Sequence, residues 1–182
     1  MFSQVRRLLI KCESPSQAAE FPECVGEPNM SDADPIKLAD ERTIRRVASE
    51  IDRAVDDKNW SRMRTHFADR LTVDVGAVSG TSIIEMTGED FVNEVAALNP
   101  REKRSYHVHH NALIQILGDT AEFTAHSHGW NYCEVFDPPV YEIWGSIDYR
   151  FERREDRWLV TQIAMAKWRE QGNPEVSTWR GR

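Results

Sequence analysis

The stretch His107-Val-His-His-Asn-Ala-Leu-Ile-Gln-Ile-Leu117-Gly118-Asp119-Thr120-Ala-Glu-Phe-Thr-Ala-His-Ser-His-Gly-Trp130 decides how this chain is read. Two runs rich in β-branched and aromatic residues flank Gly118-Asp119, a pair suited to a two-residue turn, so His107 to Leu117 and Thr120 to Trp130 read as a hairpin. Downstream, Val140 to Arg153 and Arg157 to Lys167 read as two more strands, separated by Arg154-Glu155-Asp156. These four strands form an antiparallel meander. Upstream the period changes to that of a helix: Ile44, Val47, Ala48, Ile51, Ala54 and Val55 share one stripe, with Arg45, Arg46, Glu50 and Arg53 off it. That spacing predicts a core-facing helix. Asn59-Trp60-Ser61 opens a shorter helical segment, Arg70 to Val75 and Thr81 to Met86 read as short strands, and Thr87-Gly-Glu-Asp90 resembles a capping box opening a helix that Pro100 ends. Helices segregated from an antiparallel meander predict a single α+β domain, a cone in which a curved sheet wraps the helices and leaves an apolar pocket at its open end.

The 182 residues carry 23 Lys and Arg against 30 Asp and Glu, a net charge of −7, with 40% hydrophobic residues. Such a chain can bury one sizeable core. The acidic balance gives no field for phosphate backbones, and no apolar run approaches the roughly 20 residues of a membrane span, so neither nucleic acid nor membrane is an expected partner. Cys12, Cys24 and Cys133 are odd in number and lack C-x-x-C spacing, which points to a reducing cytoplasm rather than to a disulfide framework or a cysteine zinc site. Residues 1–34 show no periodicity and read as a disordered extension, residues 35–170 as the domain and residues 171–182 as a tail. Met30-Ser31-Asp-Ala-Asp-Pro35 makes a natural start, so residues 1–29 read as a dispensable leader or a mis-called start.

Five of the six histidines lie between His107 and His128. A regular ladder would place His109 opposite His128, Asn111 opposite His126 and His107 opposite Trp130, all on one sheet face. The opposite face would carry Ala112, Ile114, Ile116, Ala121, Phe123 and Ala125. Either the histidine face points to solvent or a subunit interface, or a β-bulge between Asn111 and Ile114 switches faces. His-x-His on neighbouring strands also invites a metal, but a cupin-like site would add a glutamate where residues 111–114 are Asn, Ala, Leu and Ile, so neither metal nor cofactor is expected.

Asp56-Asp57-Lys58-Asn59-Trp60, Phe67-Ala68-Asp69, Thr72-Val-Asp74, Arg104-Ser-Tyr-His107 through Asn111, Leu117-Gly-Asp-Thr-Ala121 and Arg157-Trp158 arrive in an order that resembles the SnoaL-like branch of the nuclear transport factor two-like superfamily, in which scytalone dehydratase is the best understood member. The resemblance covers roughly Ile36 to Trp168. It implies a cone fold in which Asp56 and His107 form an acid/base pair, and this favours the bulge, because it places His107 in the pocket. It also shows departures: two tyrosines of that dehydratase fall on Val55 and Val75 and its pocket asparagine falls near Ile147, so scytalone itself is not the expected substrate.

The reading that follows is a cofactor-free enzyme dehydrating or isomerising an apolar, cyclic or polyketide-like small molecule. His107, oriented by Asp56 with Asp52 as the substitute carboxylate, would take a proton, and His109 or a tyrosine would give one. Asn111, His128, Trp130, Tyr132, Tyr149 and Phe136 are the substrate-binding candidates, Phe136 through a rim or lid at Cys133–Pro139. The rival reading is a non-catalytic ligand-binding or assembly module of the same fold. A homo-oligomer, dimer or trimer, is expected through the sheet. In a bulge-free hairpin its interface would bury Ala112, Ile114, Phe123 and Ala125.

Overall fold

A computed structural model describes residues 34–75 and 83–181; residues 1–33 of the expected extension over residues 1–34 and the start of the predicted strand at Thr81 lie outside them. Helix α1 spans Pro35–Asp56, with Pro35 in its first turn and the Asp34 side chain accepting from the Ile36 N–H at 3.0 Å, the arrangement a helix start favours. The predicted stripe is its buried face. Its end is a Schellman motif: the Lys58 N–H donates to Val55 O at 3.1 Å and the Asn59 N–H to Ala54 O at 2.8 Å, with Lys58 at φ 57°. Asn59 then caps the short α2, Trp60–Arg64. Strands β1 (Phe67–Asp74) and β2 (Ile84–Thr87) lead to α3 (Gly88–Leu98), where the Thr87 hydroxyl accepts from the Asp90 N–H at 3.0 Å and donates to the Asp90 carboxylate at 2.7 Å. The meander β3 (Arg104–Leu117), β4 (Thr120–Tyr132), β5 (Val140–Arg154) and β6 (Arg157–Gly172) follows, then a helical turn, α4 (Glu175–Thr178).

The strands form one sheet in the order β2-β1-β6-β5-β4-β3. It is not wholly antiparallel as expected, because β1 pairs parallel with β6. These two strands are distant in sequence, so no hairpin constrains their relative direction. Breaks in register between Trp144 and Gly145 and between Arg150 and Phe151 interrupt the β5–β6 ladder, and bulges of this kind bend a sheet and increase its twist.

A bulge also sits in β3. The pairing runs Leu117↔Thr120 through Leu113↔Thr124 and resumes as His110↔His126, with Asn111 at φ 55° between them. One extra residue inverts the parity of the strand. On its N-terminal side His107 and His109 therefore face inward, and on its other side Ala112, Ile114 and Ile116 do, joining buried Ala121, Phe123 and Ala125 in the core. The apolar face of the hairpin is thus core, and the bulge-free arrangement that would bury it between subunits does not apply.

Strand β6 runs five residues beyond the predicted Lys167, to Gly172, and the segment after it packs on the domain: Val176 is fully buried with Cys133 and Tyr141, and Phe136 and Trp179 lie against them. Lys103, only 1% exposed, donates from Nζ to Leu98 O at the end of α3 and to Ser177 O. Among the described residues no helix is long and apolar enough to cross a membrane.

Candidate active site

Four contacts in sequence show α1 running antiparallel along the inner side of β3: Arg45 to Ala112 O, Asp52 to His109, Asp56 to His107 and Lys58 to Ser105. Helix residues four apart are separated by about 6 Å along the axis, and strand residues two apart by about 6.7 Å. Asp52 and Asp56 therefore meet His109 and His107 in register.

The Asp56 carboxylate is held from three directions. Its Oδ1 lies 2.7 Å from His107 Nδ1 and accepts from the Ser105 hydroxyl at 2.9 Å, while its Oδ2 accepts from the His107 backbone N–H at 3.0 Å. Lys58 Nζ donates in turn to Ser105 Oγ at 2.9 Å and to Val55 O at 3.2 Å. Burial alone would raise the Asp56 carboxyl, but the His107 ring, its charge, its backbone N–H and the Ser105 hydroxyl outweigh burial and hold it below the usual range. Lys58 is lowered by burial, against the opposing pull of Asp56. With Nδ1 engaged by the carboxylate, Nε2 is the ring atom left for a ligand. The ring passes over Gly129, where an added Cβ would lie 3.0 Å from His107 Cδ2.

Deeper along the same strand, His109 Nδ1 lies 3.0 Å from Asp52 Oδ2, with side chains only 7% and 12% exposed. The contact is an ion-pair approach whose alignment falls short of a hydrogen bond. Tyr149 and Phe123 flank the ring edge-on at 6.1 and 6.3 Å between centroids. Burial, and then the charge of Asp52, push the Tyr149 hydroxyl well above its ordinary value.

Of the residues singled out from sequence, Asp52, Asp56, His107, His109 and Tyr149 lie on this inner side. The others do not join them. Strand β4 has no bulge, so its buried Ala121, Phe123 and Ala125 fix the inward parity and turn His126, His128, Trp130 and Tyr132 outward. His107 faces Gly129 rather than Trp130, and His128 faces Val108 rather than His109. His128 Nε2 bonds Glu142 at 2.7 Å and stacks on Trp144, and Trp130 stacks on Tyr106. Asn111 sits in the bulge with its amide 3.2 Å from His126. Phe136 packs against Trp179 in the cluster around Cys133, which seats the expected lid on the C-terminal segment. A recess of about 420 Å³ bounded by Arg104, Trp130, Tyr132, Val140 and Glu142 lies on the outer face, not over the two His–Asp pairs. Among the described residues no group of three or more His, Cys, Asp or Glu is placed to hold a metal ion.

Sequence reasoning missed Ser105 and Lys58. The signal was the alternation itself, since Ser105 precedes His107 by two and must share its face, and Lys58 stands where a helix end favours glycine.

A six-stranded sheet wrapped on one long helix is the nuclear transport factor two-like fold. The chain belongs to the SnoaL-like domain family, which matches residues 37–164. Among solved structures it is similar to the Kfla4162 protein of Kribbella flavida, at 18% identity and TM-score 0.73 over 78% of this chain and 98% of that one. It is also similar to a candidate scytalone dehydratase of Novosphingobium aromaticivorans, at 13% identity and TM-score 0.65 over 80% and 96%. A third likeness is to LinA-type3, a hexachlorocyclohexane dehydrochlorinase of Novosphingobium barchaimii, at 16% identity and TM-score 0.61 over 74% and 90%. These identities speak for the fold alone. No curated protein sequence matches the chain.

Proposed function

We propose that the protein is an enzyme that uses His107, oriented by Asp56, as a general base on an apolar cyclic or polyketide-like small molecule, in a dehydration or an isomerisation. The observation that carries this reading is the Asp56–His107 pair at 2.7 Å, with the carboxylate also held by Ser105 and by the His107 backbone. A carboxylate fixed at Nδ1 sets the tautomer and leaves Nε2 basic, which proton abstraction next to a carbonyl requires. His109 is the candidate second proton-transfer group, and Tyr149 the inner-face candidate for contacting the substrate. The names of two similar structures, a dehydratase and a dehydrochlorinase, agree with an elimination.

A thermal-shift screen of small cyclic hydroxy-ketones identifies ligands, and turnover of those that bind is then measured. Asp56→Asn and His107→Ala are each expected to lower kcat by about a hundredfold or more; full activity in both variants overturns the reading. The second reading, a non-catalytic binding or assembly module, is favoured by the outer recess, and it predicts ligand binding without product.

Assembly as a homo-oligomer belongs to the same proposal, now through the outer face, where exposed Tyr106 and Trp168 accompany Trp130, Trp144 and His128. Light scattering at micromolar concentration is expected to give a multiple of 21.0 kDa; the monomer mass contradicts it.

A further inference from the structure

The recess on the outer face is built from two neighbouring rows of the sheet. Arg104, Tyr132 and Val140 are register partners on β3, β4 and β5, and Tyr106, Trp130 and Glu142 are the partners two residues along on the same face. At about 4.8 Å between strands and about 6.7 Å per two residues, the backbones of Arg104 and Glu142 stand about 12 Å apart on opposite corners. Trp130 and Tyr132 lie between those corners. The hollow over these residues measures about 420 Å³, a volume that suits a small molecule. A second copy's sheet laid flat on this face would span such a hollow rather than fill it.

The two charges of the recess differ in how they are satisfied. The Arg104 guanidinium forms no ion pair or hydrogen bond among the described residues. Glu142 is fixed: its Oε1 lies 2.7 Å from His128 Nε2, His128 stacks on Trp144 at 5.0 Å between centroids, and Arg169 Cζ lies 4.8 Å over the Trp144 ring. That column leaves Oε2 as the oxygen available to a ligand. The Trp130 ring is held in turn by its stack on Tyr106, at 6.1 Å with the planes 20° apart. A guanidinium without a counter-ion presents a planar fork that matches a carboxylate, the rings present apolar faces, and a fixed carboxylate oxygen accepts from a hydroxyl. From this arrangement we infer that the outer recess is a binding site for a hydroxylated aromatic carboxylate, with its carboxylate on Arg104, its ring over Trp130 and Tyr132 and its hydroxyl donating to Glu142. An acid without the hydroxyl meets only the repulsion of Glu142 at that end, and a phenol without the carboxylate leaves Arg104 unpaired. The site is independent of the acid–base reading, which concerns the other face of the sheet, and it requires the homo-oligomer proposed above to leave this end of the outer face open.

Calorimetric titration with probes of one ring system tests the assignment: 6-hydroxy-2-naphthoate, 2-naphthoate, which lacks the hydroxyl, and 2-naphthol, which lacks the carboxylate. The full probe is expected to bind wild type with a dissociation constant of about 1 mM or below, ordinary for a ligand of this size. It should bind about tenfold or more tighter than 2-naphthol and about threefold or more tighter than 2-naphthoate. Arg104→Gln should bring the first ratio near one, and Glu142→Met the second. Each ratio is taken within one variant, so a general loss of fit cancels. His107→Ala should bind the full probe as wild type does. Either ratio persisting in its variant overturns the inference, as does a wild type that does not bind the full probe at about ten times that concentration. Binding that weakens as protein concentration rises means that a second copy fills the recess, and it overturns the inference too. Loss of probe binding in His107→Ala seats the probe on the inner face, which overturns this inference and leaves the acid–base reading standing.

Discussion

His107 passes over Gly129 because that position of β4 has no side chain: an alanine Cβ there would meet His107 Cδ2 at 3.0 Å and Tyr106 O at 3.3 Å. The backbone cannot yield as easily as the ring, so Gly129→Ala is expected to tilt the imidazole by a few tenths of an ångström with little change in stability. Misplacements on this scale are costly in rate, up to about a hundredfold per ångström, so kcat should fall roughly tenfold with KM less affected. A variant with wild-type kcat would contradict the role given to Gly129. Asp56 and His107 were legible through the family resemblance, and Asp52 was visible as an alternative to Asp56. The partner of His107 follows only when the bulge that the resemblance favours is taken into account. A ladder extrapolated from the Gly118-Asp119 turn gives Trp130, and the bulge at Asn111 shifts the true partner by one, to Gly129. No local residue preference announces that shift, because Asn tolerates positive φ in turns as readily as in bulges.

At the level of elements, the register between α1 and β3 arises from a match of rises, one helical turn against two strand residues. The helix end tunes that match. Lys58 occupies the left-handed position of the Schellman motif, where a non-glycine residue costs about 1 kcal/mol, and from there its ammonium reaches the Ser105 hydroxyl that holds Asp56. Lys58→Gly relieves that strain while removing the hydrogen bonds, each of which contributes about 1 kcal/mol net. The variant is therefore expected to melt within a few degrees of wild type while its turnover falls several-fold; a large loss of melting temperature with activity intact would show that Lys58 serves stability instead. The apolar stripe of α1 and the capping residue Thr87 could be read directly, because period and caps are local properties. The parallel β1–β6 pairing could not, since it joins strands distant in sequence through contacts no local pattern encodes.

Across the whole molecule, Lys103 ties the end of α3 to the segment after β6, and burial lowers its ammonium to about 8 from 10.5. Below about pH 8 native and unfolded chains both hold that proton, and the native state carries a buried charge. Between about 8 and 10.5 the unfolded chain still holds it and the native chain does not, so stability contributed by this group rises with pH across that window and levels off above it. The gain cannot exceed about 3.4 kcal/mol at 1.36 kcal/mol per pH unit. Denaturant melts from pH 7 to 10.5 should show a rise in wild type that Lys103→Met lacks; parallel curves would contradict it. The central claim, that the fold brings Asp56 and His107 together to remove a proton, is tested most directly by exchange into deuterium oxide. The proton on the carbon between the carbonyl and the carbinol of 3-hydroxycyclohexanone is followed by proton NMR in the presence of wild type, Asp56→Asn and His107→Ala. The account predicts wild-type exchange well above the buffer rate, reduced about a hundredfold or more in each variant; exchange at the buffer rate in wild type, or undiminished exchange in both variants, would contradict it.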